Sequence, residues 1–259
     1  MQSKIARLLL LTLASLPLQL FAAPIFSVNG AVAQPGDYQW QPDTRLLDAS
    51  VTAQVNPDAW YLGATLQRDS AKTAQQKLKV GLLFDLRSAK VRSHLLADDA
   101  ALALIDRLIN QVQSMPVTGR VTAEMNPLKQ RLIRYNPLLE PGDKIFYDSR
   151  PTTINVTGAV QANCQLAFAY TSSAHEYLQH CPPHPLASAD SLYIIQPDGR
   201  VQKVGRAYWN QQTLPVAVGA TLYVPFSEAL LAEVSNIEAF NEDMAAFIAT
   251  QTPAQERVR

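Results

Sequence analysis

Val28-Asn29-Gly30-Ala31-Val32 returns 128 residues later as Val156-Thr157-Gly158-Ala159-Val160. A repeat at the spacing of a small domain restricts the fold to two copies of one unit. Holding that offset puts Tyr38 and Trp40 onto Leu166 and Phe168, alternating apolar positions that suit a half-buried strand. Thr44 falls on Ser172, where a helix should start, and Ser173 with Glu176 forms an S-x-x-E capping box ahead of Tyr177 and Leu178. Each copy therefore begins as strand, glycine turn, strand, helix.

The copies also end alike. Pro141-Gly142-Asp143-Lys144-Ile145-Phe146-Tyr147 resembles Val218-Gly219-Ala220-Thr221-Leu222-Tyr223-Val224, a glycine turn leading into a last strand, and Gly119-Arg120-Val121 matches Gly199-Arg200-Val201. From Gly30 to Gly142 is 112 residues and from Gly158 to Gly219 is 61, so the first copy carries about 51 extra. Between Leu66 and Met115 the period changes to helical. Leu66, Ser70, Ala74, Leu78, Leu82 and Leu86 lie four apart, and Leu102, Ile105, Leu108, Ile109 and Val112 continue at three to four. Asp98 or Asp99 can cap the second of these helices. The expected fold class is α+β: a helical hairpin inserted over about 66–115 in a first sheet domain spanning 23–148, then a second sheet domain over 149–226.

A C-terminal helix is expected over 227–250, capped by Ser227, with a tail over 251–259. Leu230, Val234, Ile237, Phe240, Met244, Phe247 and Ile248 form one apolar stripe, which either docks on the chain's own domains or meets a partner. Its polar side carries Glu228, Glu233, Glu238, Glu242 and Asp243 and no Lys or Arg, whereas helices that lie in a membrane interface are typically basic.

At the other end, Lys4 and Arg7 precede an apolar stretch from Leu8 to Leu20, and residues 1–22 read as a cleavable secretory signal ending at Ala22. Cutting one residue later would place Pro24 directly after the scissile bond. The apolar run is shorter than the ~20 residues a bilayer requires, so no membrane insertion is expected after cleavage, and the mature protein is expected in a periplasm. Lys plus Arg equals Asp plus Glu at 22 each, so no overall field attracts nucleic acid. Cys164 and Cys181 are the only cysteines, and an oxidising compartment favours their pairing as a disulfide.

Catalytic chemistry finds little support. His94, His175, His180 and His184 stand in no nucleophile motif. His175 and His180 are five apart, a poor pairing on one helix face, and Cys181 is better used on Cys164, so no metal is expected. Gly81, Gly119 and Gly142 stand alone, without a phosphate loop, and no cofactor is expected. Glycoside cleavage needs two carboxyls ~5 to 9 Å apart, and sequence cannot choose a pair. Arg120 exits the helical insert, where a guanidinium fork suits the carboxylates of acidic sugars or of a partner protein; the other reading is a structural ion pair or turn arginine, as its counterpart Arg200 suggests. We expect Arg120 to act through its charge rather than in folding. Trp60, Tyr61, Tyr208 and Trp209 either stack on sugar rings or belong to the core.

Val117-Thr118-Gly119-Arg120, Asn136-Pro137-Leu138, Pro197-Asp198-Gly199-Arg200, Ala207-Tyr208-Trp209-Asn210 and the terminal Phe226-Ser227, in that order and spacing, resemble the capsule-biosynthesis GfcC family over nearly the whole mature chain. Where that family carries Trp-Trp-Pro-Gly, this chain has Ala59-Trp60-Tyr61-Leu62-Gly63. The resemblance implies two β-grasp domains in tandem, like the periplasmic domains of the outer-membrane polysaccharide exporter, with a helical hairpin in the first and a C-terminal amphipathic helix. It implies a non-catalytic accessory role in capsule or exopolysaccharide assembly or export, with a surface polysaccharide or exporter components as partners. Two other readings stand beside it: an enzyme that trims or modifies the polymer with a carboxylate pair, and an envelope structural protein unrelated to glycans.

Overall fold

The computed structural model describes residues 23–210, 212, 214–228 and 236–252. The expected leader over 1–22, the tail from 253 onward, and, of the terminal helix, Leu230 and Val234 of the stripe and Glu233 of its polar side lie outside the described residues.

In chain order the first half holds β1 (Ile25–Gly30), β2 (Gly36–Gln39), α1 (Leu46–Thr52), β3 (Thr65–Gln67), α2 (Asp69–Leu95), α3 (Asp99–Ser114), β4 (Arg120–Val121), a short α4 (Pro127–Gln130) and β5 (Lys144–Tyr147). The second holds β6 (Thr153–Gly158), β7 (Cys164–Ala167), α5 (Ala174–His180), β8 (Ser191–Ile195), β9 (Val201–Gly205) and β10 (Thr221–Val224), and α6 (Ile237–Ala249) follows. The result is mixed α/β with two five-stranded sheets, ordered β2-β1-β5-β3-β4 and β7-β6-β10-β8-β9. The boundaries of β1, β2 and α1 each recur 128 residues later in β6, β7 and α5. In both sheets the first and last strands of the copy run parallel, Val28 opposite Ile145 and Val156 opposite Leu222, while the remaining pairs are antiparallel.

The repeated glycine that discloses the two copies is required by this pairing. Gly30 and Gly158 adopt φ of +94° and +96°, and a Cβ on either would stand 2.1 or 2.3 Å from the carbonyl oxygen of Tyr147 or Val224 in the neighbouring strand. Only a residue without a Cβ lets the strand turn away at so close an approach.

The extra length of the first copy sits in one connection. From Gly30 to Gly119 is 89 residues and from Gly158 to Gly199 is 41, so 48 of the extra residues fall before β4. Where the second copy joins β8 to β9 by a turn at Gln196–Arg200, the first copy places α2 and α3. Leu66, counted above in the helical period, lies in β3 instead, paired with Val121 and Ile145 and buried by both. Its strand assignment wins because cross-strand burial is available at that position; the helix begins at Asp69, after Arg68 in extended conformation. Asp98 caps α3, its carboxylate accepting from the Ala101 amide at 3.0 Å.

α2 and α3 pack on each other through Leu82, Leu86, Ala89, Leu104, Ile105, Leu108 and Val112, and this layer is continuous with Ile154, Val156, Leu222 and Tyr223 of the second sheet. The first sheet keeps a separate core of Phe26, Val28, Leu46, Leu66, Ile145 and Tyr147. Polar contacts reinforce the crossing over: Arg107 of α3 donates to the carbonyls of Gly158, Val160 and Gln161, and Gln111 donates to the Thr157 hydroxyl at 2.8 Å.

The helix expected over 227–250 does not run unbroken: 229–235 lie outside the described residues, and α6 begins after Asn236. Asn236 is extended, with its side-chain oxygen accepting from the amides of Glu238 and Ala239, the arrangement Asn favours over a helix interior. The described part of the stripe docks on the chain itself. Phe240, Met244 and Phe247 are buried in the second core, Phe240 stacks edge-on against Phe226 at 6.0 Å, and Asn241 accepts from the Tyr223 hydroxyl and the Phe226 amide at 2.9 Å each. On the outer side Glu238 pairs with Lys203 at 2.7 Å. Cys164 and Cys181 are bonded, joining the start of β7 to the end of α5. Among the described residues no helix is long and apolar enough to cross a membrane.

Candidate functional site

β4 lies at the exit of α3, and its first residue, Arg120, is placed by Gln75 of α2. The Gln75 side chain accepts from the Gly119 amide and donates to the Arg120 carbonyl, both at 2.8 Å, fixing the backbone on either side of the peptide. The arginine then extends across the molecule. One terminal nitrogen donates to the carbonyls of Gln251 at 2.7 Å and Ala249 at 3.3 Å, and the other donates to the carbonyl of Pro197 in the β8–β9 turn. Alongside it the Thr118 hydroxyl donates to Thr250 O at 2.6 Å.

Arg120 thus stands over the carboxyl end of α6, where exposed carbonyls and the helix dipole favour a cation. Burial lowers its pKa to about 10, against the opposing pull of the Asp198 and Asp148 charges. The side chain is 8 % exposed. Both terminal nitrogens are committed to backbone carbonyls, and the residue joins the first sheet to α6 and the second.

Beside Arg120 lies a cleft of about 420 Å³ whose lining includes the amide side chains of Gln111, Asn155, Asn163 and Gln165 and, among the described residues, no Asp, Glu or His. A second depression nearby, of about 500 Å³, includes Glu124 and Asp198, each already in an ion pair, with Lys129 at 3.0 Å and with Arg200 at 2.6 Å.

The aromatic candidates part company. Trp60 is buried as a wedge at the seam between the two units, its ring standing where Cβ atoms on Gly63 or Gly219 would be and close to Pro151, with one side on a groove. Tyr61 turns inward, its ring edge-on to Tyr147 at 6.3 Å and its hydroxyl donating to Asn56 O at 3.2 Å. Trp209 is 76 % exposed and lines none of these clefts. Among the histidines, His184 accepts from the Leu186 amide through Nδ1, and burial, with the Arg107 charge, lowers its pKa.

Two residues unmarked by any motif come to the seam with Trp60: Arg150, in the linker between β5 and β6, and Tyr170, between β7 and α5. Nothing in the local sequence singles them out, because their neighbourhood is created by the packing of one unit on the other. Gln75 is likewise silent, a polar residue on a helix whose apolar spacing draws attention elsewhere.

The comparisons with known proteins follow the same division. The model described as capsule biosynthesis GfcC, N-terminal, matches residues 30–147, and that described as capsule biosynthesis GfcC C-terminal matches residues 162–253. The chain is also 28 % identical over 199 residues to an uncharacterized protein, YjbG, of Escherichia coli (strain K12), covering 76 % of this chain and 78 % of that one. With one match on each sheet unit, in order and spanning most of the sequence, the chain belongs to the capsule biosynthesis GfcC family.

Proposed function

We propose that this protein is a periplasmic, non-catalytic accessory factor for assembly or export of a capsule or exopolysaccharide, binding the polymer or the export machinery. Family membership ties the chain to capsule biosynthesis, and the match over both units is the observation that carries the reading. A disulfide supports an extracytoplasmic location, and the signal-like first 22 residues supply the route. In this reading each sheet with its crossing helix is a β-grasp domain, 23–148 and 149–226, and α2 with α3 is a helical hairpin inserted in the first. Trp60 and the exposed Trp209 offer ring faces to sugars. Arg120 serves by holding the two domains and α6 in one arrangement.

The trimming-enzyme alternative needs a carboxylate pair facing a cleft. Among the described residues, Glu124 and Asp198, which border a depression, are each held in an ion pair, with Lys129 and with Arg200. Deleting the gene and measuring surface polymer tests the proposal. Loss of surface polymer, restored by a secreted copy found in the periplasmic fraction, is the expected result. Unchanged polymer would remove the capsule role, and purified protein that shortens the polymer in vitro would replace the binding role with an enzymatic one.

A further inference from the structure

We propose that the groove along the seam between the two units is a binding site for an acidic oligosaccharide segment, with Arg150 and Arg200 receiving its carboxylates and Tyr170 stacking on a sugar ring. This rests on the polysaccharide reading above and gives it a site and a charge.

The groove encloses about 890 Å³ and is lined by Trp60 and Leu62 of the first unit, Arg150 of the linker, and residues of the second unit that include Phe168, Tyr170 and Arg200. Its volume lies within the ~300–1,000 Å³ of ordinary ligand sites. The composition of the wall carries the assignment. Among the described residues two arginines line it and no Asp or Glu does, in a chain whose charges balance overall at 22 and 22.

Neither arginine is consumed by the fold. Arg150 is exposed and makes no hydrogen bond or ion pair among the described residues. Arg200 uses Nε on Asp198 at 2.6 Å, which orients the side chain, and its two terminal nitrogens have no partner among the described residues. A planar guanidinium presents paired donors that match a carboxylate, so these groups suit uronate-type sugars better than neutral ones. Tyr170 is 93 % exposed, and the hydroxyls of Thr171 and Ser172 likewise have no hydrogen-bond partner among the described residues. An exposed aromatic face flanked by free hydroxyls meets both surfaces of a sugar, the apolar C–H face and the hydroxyl rim.

Arg200 also explains its difference from Arg120. The same turn position in the other repeat spends its fork on carbonyls, whereas here the neighbouring Asp198 holds only one nitrogen and leaves the fork at the groove.

The test is titration calorimetry on the full mature protein with hexagalacturonate as the acidic probe, maltohexaose as the neutral one and hexaglutamate as an acidic peptide. We expect hexagalacturonate to bind at least tenfold more tightly than either, with affinity falling as salt rises. Arg150→Ala with Arg200→Ala should weaken it by tenfold or more, Arg150→Lys by less, and Tyr170→Ala should weaken both sugars, all without a change in melting temperature because these side chains are exposed. Equal binding of the two sugars, equal or tighter binding of hexaglutamate, or undiminished binding by the double variant would each overturn the groove assignment. The two readings separate in cells. If deletion abolishes surface polymer while the double arginine variant restores it fully, the groove proposal fails and the capsule role stands; if deletion has no effect, the capsule role itself fails.

Discussion

The two units share strand order, a parallel central pair and the offset of 128 residues, yet they are completed differently. The first closes its core with its own α1: Leu46 is fully buried there, and Ser50 meets the Tyr147 hydroxyl at 2.8 Å. The second receives help from outside, with α2 and α3 of the first unit and the trailing α6 joining its core. One topology therefore tolerates two ways of burying its apolar surface, and α2 and α3, which lengthen one copy, serve to cover the other.

The largest effect that would break this comparison comes from the shared core. Leu86 is fully buried in α2, and Leu86→Ala should cost about 3–5 kcal/mol, read as a lowered urea midpoint. Hydrogen exchange should then quicken in β6 and β10 before β1 and β5; the reverse order would show that the insert belongs to the first unit's core. Next is the disulfide. Its partners fall on Gly36 and Ala53 in the first copy, so only the second unit is stapled. Replacing both cysteines by Ala should cost ~3 kcal/mol for a separation of 17 residues, with exchange in the first sheet unchanged. A reductant without effect on the unfolding midpoint would contradict it.

The equivalent arginines give a finer test. Arg120→Ala should cost about 2–3 kcal/mol, because the buried carbonyl of Pro197 and the part-buried one of Gln251 lose a charged donor, whereas Arg200→Ala should stay within about 0.5 kcal/mol. In a domain of this size each kcal/mol moves the melting temperature by about 2–4 °C, so the pair is resolved by a thermal scan. Equal shifts would make the two turns energetically alike.

The smallest effect concerns the tyrosines of the last strands. Tyr147 is raised above its ordinary pKa by burial and Tyr223 well above it, so the stability they contribute is complete below pH 10 and is lost as pH rises through the folded values. Arg120 acts with the opposite sign: its folded value of about 10 lies below the 12.5 of the free side chain, so it adds stability across that interval. The tyrosine contribution is a fall in stability as pH rises above 10. Tyr223→Phe should cost about 1 kcal/mol at neutral pH and flatten that fall; urea midpoints from pH 8 to 11 that decline as steeply as in the parent would refute the assignment to Tyr223.

Much of this was legible in the residues. The copies show because Gly30 and Gly158 are forced by the approach of a neighbouring carbonyl, and Ser173 with Glu176 forms its capping box. The two inserted helices show through their apolar spacing, and the disulfide follows from having two cysteines. What could not be read was orientation. The motif Gly-Arg-Val occurs in both copies, and only the tertiary arrangement brings the α6 terminus to both terminal nitrogens of Arg120, while Arg200 engages Asp198 through Nε alone and borders a groove. Trp60 and Trp209 divide in the same way, one wedged at the seam and one exposed.

Arg120 is bound to carbonyls that lie 77 to 131 positions further along the chain. A polypeptide delivered from its amino end holds the apolar face of α2 and α3 ready before β6 exists, and fastens it only when the last helix arrives. Such sequence-distant closure makes for slow folding and for an interval in which the sticky face is open to other molecules. The yield of native protein should therefore depend on keeping the carboxyl end intact during delivery, and a chain cut short before α6 would expose the very surface that its missing segment was to cover.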